Sequence, residues 1–138
     1  MKTILQHAKR RGEWVEMQFM ARAAAHGLTV SKPWGDSARY DFAVEYNGRF
    51  YRVQVKSTSY KSGRFYVCGW CPPGGQRPYT AQDIDLLAAY IIPEDIWYIL
   101  PVSVVASHKR GIALAPDRPD NRHFPFMEAW HLFTVAPQ

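Results

Sequence analysis

Asp41, Gln54 and Lys56 are the residues of this chain whose types and spacing could do chemistry together. A carboxylate and an amide oxygen are hard donors of the kind a divalent cation takes, and an ammonium beside them can meet a phosphate. Nothing in their spacing brings them together unless the chain turns back between them. The stretch from Arg39 to Tyr60 supplies that turn, because apolar and polar residues alternate on both sides of Asn47-Gly48. Asn-Gly between alternating β-branched and aromatic residues is a strong short-range signal for a β-hairpin. Side chains alternate across a strand, so Gln54 and Lys56 share one face while Val53 and Val55 take the other. Asp41 opens the first arm, opposite the end of the second. Folding at Asn47-Gly48 therefore gathers an acid, an amide and a lysine at one end of a sheet, around a point that could hold a metal and a phosphate.

These residues resemble the PD-(D/E)XK nuclease superfamily, whose pattern is an Asp at the start of one strand followed by acid-x-Lys on the next. Here the pattern reads Asp41, then Gln54-Val55-Lys56, with Tyr40 where the family name has Pro and Gln54 where it has an acid. A branch that includes bacterial intron-encoded homing endonucleases uses Gln-x-Lys at this place. With its Gly-Asp-x-x-Arg-Tyr-Asp run at Gly35 to Asp41, the chain is most similar to that branch, and the resemblance covers roughly Gly12 to Leu100, most of the chain.

The resemblance implies an α/β (α+β) restriction-endonuclease-like core, a mixed but mostly antiparallel central sheet flanked by helices. It also implies a Mg²⁺-dependent endodeoxyribonuclease, with Mn²⁺ able to substitute. Glu16, reached through Gly12-Glu13-Trp14-Val15-Glu16, matches the family's Gly-x-x-x-Glu on the first helix. Glu13, about one turn earlier, is its rival, although its spacing also suits an ion pair with Lys9 or Arg10. The implied ligands are Glu16, Asp41, the Val55 carbonyl and Gln54, and the implied catalytic set is Glu16, Asp41, Gln54 and Lys56. Replacing an acid with Gln removes a negative charge, so metal binding should be weak until a substrate phosphate completes the site. One metal or two remain open. A non-catalytic nucleic-acid-binding domain that keeps the fold is the alternative, with Gln54 as its best support.

At 138 residues the chain is expected to be one domain, 1–138, with a sizeable core. Seventeen Lys and Arg against 12 Asp and Glu give a net charge of +5, which favours a polyanionic partner such as DNA. No apolar run approaches a membrane span, and Met1 to His7 lacks a signal peptide's apolar core and cleavage site, so a cytoplasmic protein with no membrane association is expected.

Around the hairpin, Lys9 to Gly27 reads as a helix and Leu28 to Lys32 as a short strand. The loop that follows mixes cations with aromatic faces. Lys32, Trp34, Arg39 and Tyr40, with Ser57, Lys61, Arg64 and Arg77, form the expected DNA surface, although the simpler reading of Trp34 itself is a cap on the core. Arg64 to Trp70 reads as a further antiparallel member of the sheet. Tyr79 to Asp85 reads as a helical turn, with Thr80 as N-cap and Asp83 at the capping-box position. Leu86 to Ile92 is an apolar run without alternation, expected to be a strand buried on both faces, and Ile96 to Val102 its partner. Val104 to Gly111 could be a short helix, Ile112 to Ala115 a strand, and Phe126 to Phe133 a terminal helix. Cutting both strands of a duplex asks for a second site, so a homodimer or higher homo-oligomer is expected, with Leu86 to Ile92 or the aromatic C-terminus as interfaces. Cys68-Gly69-Trp70-Cys71 could instead mark a zinc or dithiol protein. It lacks a second ligand pair, and Pro72-Pro73 cannot open the helix that a thioredoxin-like motif needs.

Overall fold

The computed structural model describes residues 6–70, 78–108 and 110–135. Helix α1 (Ala8–Ala25) buries Val15, Phe19 and Ala23, which recur at four-residue spacing on one stripe. It ends where Gly27 takes φ +79°, with Gly27 N–H donating to Ala24 O and Leu28 N–H to Ala23 O. This is the left-handed C-terminal motif that glycine enters without steric cost. β1 (Thr29–Ser31) follows, then the hairpin of β2 (Phe42–Tyr46) and β3 (Arg49–Thr58). Asn47 and Gly48 both have positive φ, 51° and 75°, as a two-residue turn matching the twist of its strands requires. The register pairs Tyr46 with Arg49 and Phe42 with Val53.

β4 (Lys61–Ser62) and β5 (Phe65–Gly69) come next, and then β6 (Leu86–Ile91) and β7 (Ile96–Pro101). A short helix α2 (Val102–Ala106) and β8 (Gly111–Leu114) complete the regular elements, with 3₁₀ turns at Phe124–Phe126 and Trp130–Phe133. The main sheet has five strands in the order β1-β2-β3-β6-β7, antiparallel except for the β3–β6 pair. β5 does not extend this sheet as the sequence suggested. It is the middle strand of a second, three-stranded sheet in the order β4-β5-β8.

That second sheet explains the burial of β6. Leu86, Ala88 and Tyr90 pack with α1 and the C-terminal Trp130 and Phe133, while Leu87, Ala89 and Ile91 pack with Cys68, Ile112 and Leu114. Every side chain of β6 is buried, so the expected strand is borne out. The same burial overturns Leu86 to Ile92 as a subunit interface, because its faces are already covered within the chain. Trp130 and Phe133 are likewise core residues, which removes the aromatic C-terminus as an interface. Phe126 to Phe133 is not one helix: Glu128 sits at φ +51° and its carboxylate accepts from Trp97 N–H and Trp130 Nε1–H, so the chain breaks there to tie onto β7. The helix expected over Val104 to Gly111 lies earlier, at Val102–Ala106.

Candidate active site

β2 and β3 place the candidate residues where β3 also meets β6. Asp41 precedes β2; its N–H donates to Val53 O, and its Oδ2 accepts from Val55 N–H at 2.8 Å. The carboxylate is thereby pinned across the two strands, and among the described residues no donor occupies Oδ1. Burial, the largest influence, and the nearby Glu16 push the Asp41 carboxyl above its ordinary value, against the lowering effects of the Val55 N–H, Lys56 and Lys32. Two partly buried acids held near each other are a place where a cation relieves charge. Asp41, Gln54 and Lys56 line one cleft of about 390 Å³ with Asp36, Arg39 and Tyr79. Glu16 reaches the site from α1 in a second cleft, of about 220 Å³, that also contains Val55, Lys56 and Ser57. Lys56 belongs to both clefts.

The donor set fits a hard divalent cation. Carboxylates from Glu16 and Asp41, the Val55 carbonyl and the Gln54 amide are all oxygen donors, and a cation that keeps several waters needs only one or two carboxylates. Among the described residues no three of His, Cys, Asp and Glu are grouped so as to hold a metal ion, so carbonyl, amide, water or substrate oxygens would have to complete the coordination. Glu13 is exposed and lines neither cleft.

Tyr79 is the residue that sequence reasoning missed. Its buried ring lies under two cations, with Arg39 Cζ 4.7 Å and Lys56 Nζ 5.8 Å from its centroid. A ring face attracts cations at this range, so it sets the posture of both side chains. Arg39 is also held by Asp83 Oδ2 at 2.8 Å. Asp83 accepts from Thr80 N–H as well, at 3.0 Å, which bears out its capping role. Asp85 meets Arg52 through backbone and side-chain bonds of 2.7 to 3.2 Å, so it too is structural.

The other expected DNA contacts fall in different places. Lys32 is exposed, bonded to Glu16, and 4.6 Å above the Phe42 ring. Trp34 is 98% exposed, so it caps no core. Tyr40 is half-buried against the second-sheet side of the core, and Ser57 lines the α1 cleft. Lys61 and Arg64 are exposed beyond the end of β3 and share a separate cleft with Arg118. Arg77 and Cys71 lie outside the described residues. Cys68 is fully buried and its thiol is pushed up to about 12 by burial, with Lys56 opposing weakly, which suppresses the thiolate that zinc or redox chemistry needs.

The comparisons with known proteins agree with this geometry. The PD-(D/E)XK endonuclease family matches residues 6–133. A solved structure titled "The structure of a bacterial homing endonuclease: I-Ssp6803I" superposes with a TM-score of 0.75 at 30% sequence identity, covering 90% of this chain and 88% of that one. No curated protein matches. PD-(D/E)XK nucleases generally use divalent metals. The match across nearly the whole chain, joined to a restriction-endonuclease-like sheet with Asp41 and Lys56 at one end, places this protein in the PD-(D/E)XK endonuclease family.

Proposed function

We propose that the chain is a Mg²⁺-dependent endodeoxyribonuclease, with Mn²⁺ able to substitute, that works as a homodimer or higher homo-oligomer. The observation that carries this reading is the pinned Asp41 carboxylate, raised in pKa by burial and by Glu16, beside a lysine shared by both clefts. Glu16, Asp41, the Val55 carbonyl and Gln54 would hold the ion. When bound, Mg²⁺ makes a coordinated water more acidic and neutralises phosphoryl charge. Hydrolysis would form a bond from the water oxygen to phosphorus and break the bond to the leaving sugar oxygen, the attacking water giving up a proton to solvent and the leaving oxygen taking one from it. Lys56 stabilises the hydroxide form of the water, or the charge developing on the phosphoryl oxygens, from its place against Tyr79. With Val55 N–H holding Oδ2, Asp41 would offer Oδ1 to the ion without reorganising its carboxylate. Gln54 adds an oxygen without a charge, leaving the substrate phosphate to complete the balance.

The test is cleavage of supercoiled plasmid, plain duplex, four-way junction and mismatched duplex in Mg²⁺, Mn²⁺ or EDTA, with Asp41→Ala and Lys56→Ala beside the parent protein. Metal-dependent cutting that both variants lose is expected. Binding of the same DNAs without metal-dependent cutting would support the non-catalytic reading instead. Light scattering of the DNA complex should give the protein mass of at least two chains; one chain would overturn the oligomer.

A further inference from the structure

The fold brings together two of the five histidines that lie scattered in the sequence, His108 just after α2 and His123 in the loop that follows β8. Their rings meet edge to face with centroids 5.3 Å apart. His108 Nδ1 lies 3.0 Å from Val104 O and 3.1 Å from Ser107 Oγ. A carbonyl only accepts, so Nδ1 carries the proton and Nε2 is left to face a ligand. His123 is 4% exposed, yet among the described residues neither of its ring nitrogens has a hydrogen-bond partner. A buried polar side chain is normally paired. His108 and His123 line two adjoining clefts, and Arg122 lines both as well. Among the described residues, no acid lines either cleft and Arg122 forms no ion pair. Burial first, then His108 and Arg122, hold the His123 imidazole below its ordinary pKa. A guanidinium and two imidazoles in contact thus share one corner of the molecule with no counter-charge.

We infer that His108, Arg122 and His123 form a binding site for a phosphate-type oxyanion, apart from the Asp41 and Glu16 clefts, with which it shares no lining residue. The oxyanion supplies the missing counter-charge. Paired donors of the guanidinium match two of its oxygens, and each imidazole donates one hydrogen bond once protonated. Asn121 adds a neutral donor, because its Oδ1 accepts from His123 N–H at 3.0 Å and its amide N–H groups are left for the ligand. Anion binding and protonation of the two rings are then linked, each favouring the other. A transition metal is the other ligand that neutral imidazoles take, but beside an unpaired Arg122 and without a carboxylate the local charge favours an anion. A phosphodiester of bound DNA and a free phosphate present the same oxygens, and experiment separates the two.

NMR of the full chain with ¹⁵N-labelled histidine reads the site through its imidazole nitrogens. Sulfate, whose charge is constant over the range, and inorganic phosphate are titrated in between about pH 5 and 8 at fixed ionic strength. Saturating sulfate should raise the pKa of His108 and His123 by about one pH unit each, while His7, His26 and His131 serve as internal controls. By linkage the affinity for sulfate should fall about tenfold per shifted imidazole as pH rises through that range. Arg122 is exposed, so Arg122→Gln keeps the fold, and it should weaken sulfate at least several-fold. Arg49→Gln, the same charge change at the far end of the hairpin, should not. His108→Gln should remove the share of the pH dependence that His108 carries. A plain duplex in Ca²⁺, which slows cutting, then identifies the source. If the oxyanion is a DNA phosphate, the duplex shifts the same nitrogens and Arg122→Gln lowers the slope of log K against log salt by about 0.9. If it is a free phosphate, the duplex leaves both unchanged. Nitrogens that ignore both anions, or that respond in Arg122→Gln as they do in the parent, would overturn the site. So would a response of the two rings to Zn²⁺ with none to the anions, which would make the pair a metal site instead. Each of these failures leaves the nuclease reading intact, since the site shares no residue with the Asp41 cleft.

Discussion

Exchanging Asp41 for Asn and for Ala separates its two jobs, holding Val55 and holding a cation. Asn keeps an oxygen that can accept from Val55 N–H, whereas Ala leaves that donor without its 2.8 Å partner. Orphaning a buried donor costs about 1–3 kcal/mol. The charge acts in the opposite direction. Burial and Glu16 raise the Asp41 pKa above 3.8, so the folded protein binds this proton more readily than the unfolded chain. Stability is therefore lost as pH rises from that ordinary value through the folded one, and the full cost applies above both. Asp41→Asn removes the charge, so in EDTA at neutral pH it should be at least as stable as the parent. Asp41→Ala should fall below Asp41→Asn by about 1–3 kcal/mol, or about 3–10 °C in Tm for a chain of this size. Circular dichroism melts across pH provide the assay, and the difference between parent and Asp41→Asn should close as pH falls to 3.8. Mg²⁺ at about 100 times its Kd should stabilise the parent by about 2.7 kcal/mol and neither variant comparably. The reasoning fails if Asn destabilises as much as Ala, or if Mg²⁺ protects Asp41→Asn as well as it protects the parent.

Lys56→Met should reduce single-turnover cleavage by about 10²–10⁴-fold while DNA binding persists, and Lys56→Arg should recover binding better than rate, because guanidinium does not readily exchange a proton. Trp34→Ala should change stability by less than about 0.5 kcal/mol, since the ring buries nothing. It should weaken DNA binding by about 1–3 kcal/mol if the ring stacks on a base, with the parent's fluorescence change on DNA binding lost in the variant. Arg52→Ala removes bonds to the carbonyls of Ala81 and Gln82 and to Asp85, and should lower denaturant stability by about 2–3 kcal/mol. Burial raises the Asp85 pKa, but the Arg52 hydrogen bonds outweigh it and the net shift is downward. That contribution is present above 3.8 and lost as pH falls through the lower folded value, so the deficit of Arg52→Ala should narrow in strong acid.

What was legible in the sequence is what short-range geometry decides. Asn47-Gly48 set the hairpin, and a period of two then put Gln54 and Lys56 on one face, opposite Val53 and Val55. The apolar run at β6 was legible as well, because only a strand covered on both faces reads as continuous hydrophobics. Its cover was not. The sheet β4-β5-β8 joins segments about fifty residues apart, and β5 alternates as it would have done in the main sheet, so its destination has no local signature. Trp34 was misjudged for a related reason: a large ring favours burial, and only the path of the loop decides whether a core lies within reach. Arg39 reads as a free basic residue, yet it is fixed by Asp83, 44 positions away, and by Tyr79. All the candidate donors but Glu16 are thus encoded in one hairpin, while the posture of Arg39 and Lys56 comes from the crossover that carries Tyr79. An isolated hairpin with the same Asp, Gln and Lys would lack that buried ring and the Glu16 of α1. The motif becomes a candidate active site only when the parallel β3–β6 pairing and the packing of α1 bring both to it.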